Sequence, residues 1–71
     1  MVKVNIQEEI ERINHTRRLF DLLFRAGKID QAQHRVMVNF ARKQIALLDK
    51  IFIDHGKEIN VWLYLAMKEN N

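Results

Sequence analysis

The sequence predicts an all-α protein, in which two long helices form an antiparallel hairpin and a short third helix follows. Three observations lead to this prediction. The chain of 71 residues has no proline, and its two glycines, Gly27 and Gly56, divide it into three segments of helical length. Helix-capping side chains precede the first two segments, and apolar residues then recur at intervals of three and four. We therefore predict a single helical domain over residues 1–71.

The first helix is expected over residues 5–26. Asn5 and Glu8 have the spacing of a capping box, in which side chains satisfy the free backbone N–H groups of a helix start. Isoleucines then recur at helical spacing as a narrow apolar stripe. Further on, the apolar surface widens to about half the circumference of the helix. The residues of this wider surface are Leu19, Phe20, Leu22, Leu23 and Phe24. We infer that the second half of the helix contacts two different surfaces.

A turn over residues 27–29 and a second helix over residues 30–55 complete the predicted hairpin. Gly27 suits the left-handed conformation that ends many helices, and Asp30 with Gln33 repeats the capping-box spacing. Because the connection is so short, the two helices should lie antiparallel. The second helix has an apolar arc that is wider than one neighbouring helix requires. Its members are Val36, Met37, Phe40, Ala41, Ile45, Leu47, Leu48, Ile51 and Phe52.

A short third helix is expected over residues 57–69, where residues 61–67 are apolar or aromatic without a break. The side chains expected to cover the hairpin are Ile59, Trp62, Leu63 and Ala66. Those expected to point away, toward a second surface, are Val61, Tyr64 and Leu65. A short buried strand is the alternative, since periodicity does not separate strand from helix in so brief a run. Helix is preferred because an otherwise helical chain offers a lone strand no sheet to join.

The composition favours a protein that gains stability by association. A domain of this size buries only about 60% of the surface that its unfolded chain exposes. The chain has no cysteine for disulfides or zinc, and its three histidines are too scattered for ligand spacing, so no metal site is expected. Hydrophobic residues nevertheless make up 48% of the chain. We therefore expect a homo-oligomer, a helical dimer, with the interface residues Phe20, Phe24, Trp62, Tyr64 and Leu65.

The sequence contains no catalytic signature, because it lacks a glycine-rich phosphate loop, a cysteine nucleophile and any serine. We expect a non-enzymatic regulatory protein without a cofactor, acting through self-association and protein–protein contacts. An adaptor or inhibitor that docks a larger protein is an alternative, because it would use the same apolar surface. Residues 1–8 lack a signal-sequence core, and no apolar stretch reaches the roughly 18 residues of a membrane span. We therefore expect a cytoplasmic protein without a membrane partner.

Positive charge is concentrated around the predicted turn. Residues 17–43 hold seven basic and two acidic side chains, a net charge of +5, whereas the whole chain has a net charge of +3. One heptad separates the two arginines on the polar side of each long helix. With the lysine of the turn, they form a candidate nucleic-acid-binding surface. Its residues are Arg18, Arg25, Lys28, Arg35 and Arg42. The alternative is a solvated face that only keeps an apolar protein in solution.

Residues 2–6 read Val-Lys-Val-Asn-Ile, an alternation that resembles the DNA-reading ribbon of a ribbon-helix-helix dimer. Two features favour helix instead. The capping box at Asn5 indicates that a helix has already begun, and the next breaker, Gly27, lies much further on than the short helices of that fold allow.

The chain resembles small helical co-regulators of the Hha/YmoA kind, which are similar in length and carry a Val-Trp pair near the C-terminus. Here that pair is Val61–Trp62, at a similar spacing from the turn Lys28–Asp30. The resemblance is limited to this spacing and to chain length. The Ala-Asp-His-Arg stretch typical of that family reads Ala-Arg-Lys-Gln over residues 41–44 here, so no role of a family residue is carried over.

Overall fold

The computed structural model describes residues 2–69, which form three helices and a small antiparallel sheet. In chain order the elements are β1 (Lys3–Asn5), α1 (Ile6–Arg25), α2 (Gln31–His55), β2 (Glu58–Asn60) and α3 (Val61–Glu69). Helices α1 and α2 lie side by side in a body of 42 × 21 × 19 Å. The prediction of a mostly helical chain with three helices is confirmed, and the prediction that all of it is α-helical is wrong.

Helix α1 begins directly at the end of β1. Asn5 has an extended backbone, with φ −84° and ψ 110°, and its side-chain oxygen accepts a hydrogen bond from the Glu8 N–H at 3.1 Å. An N-cap residue has extended dihedral angles before the helix starts, so one asparagine can both end a strand and cap a helix. The inference that the capping signal at Asn5 excludes a strand before it is therefore wrong.

Local hydrogen bonds determine the reversal between α1 and α2. Gly27 has a positive φ of 73°. Its N–H and that of Lys28 donate to carbonyl oxygens at the end of α1, at 3.1 and 2.9 Å, which is the Schellman pattern. The Asp30 side chain then accepts from the Gln33 N–H at 2.7 Å, and the Gln33 side chain accepts from the Asp30 N–H at 3.0 Å. This capping box starts α2 just three residues after Gly27.

The residues after α2 form a strand where the sequence predicts the start of the third helix. Gly56 follows α2, and β2 then pairs with β1, with Val4 opposite Ile59. Helix α3 begins only at Val61. At its start the side-chain oxygen of Asn60 accepts a hydrogen bond from the Trp62 N–H at 2.8 Å. Helix was preferred over a strand because an all-helical chain offers a strand no partner, but residues 3–5 are such a partner for residues 58–60.

The hydrophobic core lies at the end of the molecule that contains the sheet. We call this end the base and the opposite end, at the turn over residues 26–30, the tip. The buried cluster at the base consists of Ile6, Leu48, Ile51, Ile59 and Tyr64. Val4, Ile10, Ile13, Leu47 and Met67 are partly buried against it. Among residues 2–69, Ala41 is the one buried hydrophobic residue outside this cluster. The half of the hairpin nearer the tip therefore has almost no core of its own.

The side of α3 that faces the hairpin differs from the predicted one, although Leu65 is exposed as predicted. The sequence predicts that Tyr64 points away, but Tyr64 is only 6% exposed. Trp62, which is predicted to cover the hairpin, is 75% exposed, and Leu63 is also exposed. The reason is that α3 starts from a strand held by β1, so the entry of Ile59 into the core determines which side of the following helix faces inward.

Candidate functional site

The two long sides of the hairpin differ in chemistry. Side chains three, four or seven positions apart point to the same side of a helix, so each side can be followed along α1 and α2. We call the side that α3 borders the apolar side, because it carries a groove lined largely by apolar residues. We call the opposite side the basic side, because its polar residues are mostly arginines.

A groove of about 300 Å³ lies on the apolar side between the three helices. Its floor and walls are largely apolar, and its end toward the base is polar. The lining residues are Glu9, Arg12, Ile13, Thr16 and Phe20 of α1, Met37, Phe40, Ala41 and Gln44 of α2, and Tyr64 and Lys68 of α3. An apolar groove with a polar rim is typical of a surface that receives side chains of another molecule.

At the rim of the groove, one hydrogen bond joins α3 to α1 among several charged groups. The Arg12 guanidinium donates to a carboxylate oxygen of Glu9 at 2.7 Å, and the Tyr64 hydroxyl lies 3.5 Å from the same oxygen. The Lys68 ammonium lies 5.2 Å from the centre of the Tyr64 ring. Burial, and next the negative charge of Glu9, raises the pKa of Tyr64 above its ordinary value. The hydroxyl of Tyr64 is therefore a neutral donor at the groove wall.

Large apolar side chains beside the groove are exposed. Phe40 is 63% exposed although it lines the groove, and Val36 lies one turn before it on α2. Leu19 and Leu23, which share a side of α1 with Thr16, are exposed opposite them. These side chains form an apolar surface on the half of the hairpin that has almost no core.

The structure divides the five predicted interface residues among three places. Phe20 and Tyr64 both line the groove, although Tyr64 is also part of the core. Trp62 and Leu65 are exposed on the outer side of α3. Phe24 lies near the tip, where its ring stacks against a histidine and borders the basic side.

Two groove residues, Met37 and Phe40, are absent from the predicted interface set. Both belong to the apolar arc of the second helix, which is wider than one neighbour requires. The width of that arc is the sequence signal that could have identified them. Choosing between its members requires knowing which part of the arc faces α1.

His34 connects α2 to α1 near the tip. Its Nε2 donates to a carboxylate oxygen of Asp21 at 2.6 Å, and its ring stacks on Phe24 with 4.6 Å between ring centres. The hydrogen bond from His34 lowers the pKa of Asp21, and the charges of Arg17 and Arg25 act in the same direction. This polar clamp joins the two helices near the tip, where almost no core lies between them.

We expect the clamp between Asp21 and His34 to weaken in acid. Because the pKa of Asp21 is lower in the folded than in the unfolded chain, its contribution is complete above the unfolded value, about 4, and is lost as pH falls through the folded value. Asp21→Asn should remove this part of the pH dependence, whereas Asp49→Asn, at an exposed acid of α2, should retain it. Urea unfolding between about pH 2 and pH 6 measures the difference. Identical pH profiles for native protein and Asp21→Asn would contradict the prediction.

The basic side collects most of the predicted nucleic-acid residues. Arg25, Arg35 and Arg42 border two adjoining shallow depressions, which share two lining residues. Arg18 lies one heptad before Arg25 and therefore points to the same side of α1. Lys28 is in the turn at the tip. All five side chains are exposed, so the structure leaves them free to meet a ligand.

In the part of the chain that the structure describes, no three histidine, aspartate or glutamate side chains are placed to hold a metal ion. Within the same residues, no helix has both the length and the apolar character of a membrane span. Comparison of the chain with known protein families, curated proteins and solved structures found no match. The two sides of the hairpin are therefore interpreted from their own chemistry.

Proposed function

We propose that the protein is a non-enzymatic interaction protein that self-associates through its apolar side, as a dimer of helical hairpins. Its accessible surface is 5558 Å². A compact monomer of 8.5 kDa is expected to expose only about 4,650 Å². The difference, about 900 Å², is close to the roughly 800 Å² that each partner buries in a standard interface. This surplus surface is the observation that supports the proposal most strongly.

Several exposed large apolar side chains lie together in the region that has almost no core. Leu19, Leu23, Val36 and Phe40 are exposed there, on one side of the hairpin. Full burial of a side chain of this kind stabilises by roughly 1.5 to 3 kcal/mol. Covering several of them at once therefore offsets a substantial part of the entropy lost when two chains associate.

A second copy of the chain suits the apolar side. Two hairpins that face one another bury both apolar sides between four helices, which is the arrangement of a four-helix bundle. A two-fold axis also matches each groove with the same surface on the partner. The basic side is unsuited to such an interface, because it would oppose the arginines of one chain to those of the other. The distribution of charge and the exposed apolar area thus both favour the apolar side as the dimer interface.

The test is the mass of the protein in solution. Phe40→Glu is expected to convert the dimer into a folded monomer. Because Phe40 is 63% exposed in one chain, the substitution should not disturb folding, but the new glutamate would place an unpaired charge in the dimer interface. Size-exclusion chromatography with light scattering should give about twice the chain mass of 8.5 kDa for the native protein and one chain mass for the variant.

Ile53→Glu is the matched control. Ile53 is 81% exposed and lies about three helical turns after Arg42, on the basic side, so its substitution should leave the dimer intact. Trp62→Glu then shows whether α3 takes part in the interface. A native mass of one chain at high micromolar concentration would overturn the proposal. The apolar side would then be a docking surface for a larger protein, as in an adaptor or inhibitor.

A further inference from the structure

We infer that the basic side of the hairpin binds the phosphate backbone of duplex DNA, a function that goes beyond self-association. Four arginines form a staggered double row on this side. The contact of Asp21 with His34 gives the register of α1 against α2. From the tip, the order is then Arg25, Arg35, Arg18 and Arg42, so the row alternates between the helices.

The dimensions of the row suit a phosphate backbone. At 1.5 Å per residue, the four arginines extend over roughly 15 to 20 Å, with steps that average about 5 to 6 Å. One DNA strand carries a phosphate for about every 3.4 Å of helix axis, so the row spans roughly five nucleotides. The planar guanidinium groups donate pairs of hydrogen bonds to phosphate oxygens. Consecutive arginines can therefore contact successive phosphates.

Acidic residues neutralise only part of this row. Asp21 lies beside Arg25 in one depression and Asp30 caps α2, but residues 17–43 keep a net charge of +5. Toward the base the surface changes sign, since Glu11 and Asp49 lie one heptad beyond Arg18 and Arg42 respectively. The cationic surface is thus confined to the tip half of the basic side. Such a confined field concentrates a polyanion at one place on the protein.

The chemistry favours a nucleic acid over a lipid surface. Binding at a lipid interface requires a wide apolar face that enters the bilayer together with the cationic residues. Leu22, which is 59% exposed, lies between Arg18 and Arg25, but Val38 on the same side is partly buried. Most of the other exposed apolar residues near the tip lie on the apolar side. Because the row contacts phosphates and presents no base-reading element, binding should be independent of sequence.

Fluorescence anisotropy with a labelled DNA duplex of about 20 base pairs tests the inference. Four phosphate contacts predict a slope near −3.6 for log affinity against log salt, or roughly 100-fold weaker binding at 200 mM than at 50 mM salt. The double variant Arg25→Glu with Arg35→Glu should bind at least about tenfold more weakly at the same salt, with a slope smaller by about two. Circular dichroism and light scattering of each sample should confirm that the substitutions leave folding and association unchanged.

Lys50→Glu with Lys57→Glu is the matched control, because it changes the net charge equally at exposed positions away from the row. This control should keep affinity within about threefold. If the arginine double variant misfolds, Arg42→Glu replaces it, with an expected loss of about tenfold. Absence of binding at 50 mM salt, or equal losses in the arginine and lysine variants, would overturn the inference. Binding to phosphatidylserine vesicles but not to the duplex would also overturn it and assign the basic side to membranes.

Discussion

Leu48→Ala is expected to lower the free energy of unfolding by about 3 kcal/mol. Leu48 is fully buried at the base, where it belongs to the same cluster as Ile6 and Ile51. Truncation removes the transfer free energy of the buried methyl groups and leaves a cavity that neighbouring helices fill only in part. A chain of 71 residues is expected to have a total stability of about 4 to 10 kcal/mol. One substitution should therefore remove a large share of it.

Urea unfolding followed by circular dichroism measures this effect. The protein concentration must be the same for all variants, since self-association adds to the apparent stability. Ile53→Ala is the control, because Ile53 is 81% exposed and its truncation should change stability by no more than about 0.5 kcal/mol. If Leu48→Ala proved as stable as the control, the cluster at the base would not be what holds the fold together.

Gly56→Ala is expected to destabilise the protein by about 2 kcal/mol. Gly56 has φ 87° and ψ −164°, a backbone conformation that is essentially restricted to glycine. A Cβ atom at this position would meet nothing within 4 Å, so the cost comes from backbone strain and not from a clash. Because Gly56 connects α2 to β2, relief of the strain would disturb the pairing of Val4 with Ile59.

Gly27→Ala is the matched control for the backbone explanation. Gly27 also has a positive φ, 73°, and an equally open environment. Its place in a Schellman turn is one that other residues occupy at a cost of about 1 kcal/mol, so this variant should be the more stable of the two. Thermal unfolding of both variants at one concentration compares them. Equal losses at Gly27 and Gly56 would refute the assignment of the cost to the unusual ψ of Gly56.

The long helices could be predicted because their signals are local. Asp30 and Gln33 bond to one another across three positions, and Gly27 ends α1 through hydrogen bonds to the preceding turn. Interactions of this range depend on neighbouring residues alone, so they can be predicted from the sequence. The predicted helices over residues 5–26 and 30–55 accordingly lie close to Ile6–Arg25 and Gln31–His55.

The sheet could not be predicted with the same means. Each strand has only three residues, and the pairing of Val4 with Ile59 joins residues that lie far apart in the sequence. The alternating residues 2–6 were visible as a strand pattern, but a partner inside the same chain was not. Each strand is stable only because the other is beside it.

The apolar side was indicated by the width of two apolar arcs, but its composition depended on packing. Both Phe20 and Phe40 line the groove, but only Phe20 is in the predicted interface set, because a wide arc does not reveal which residues the neighbouring helix covers. Tyr64 was placed on the wrong side of α3, since the rotation of that helix follows from β2. Residues of similar hydrophobicity thus divide between core and surface only when the helices are assembled.

The sequence by itself determined the two long helices, the tight turn between them and the concentration of positive charge near that turn. Only the tertiary structure decided that residues 3–5 and 58–60 pair as a sheet, that Tyr64 belongs to the core and that apolar and basic residues occupy opposite sides of the hairpin. The physical reason is the range of the interactions. Capping and helical hydrogen bonds join residues a few positions apart, whereas strand pairing and burial sum contacts between residues that meet only in the folded chain.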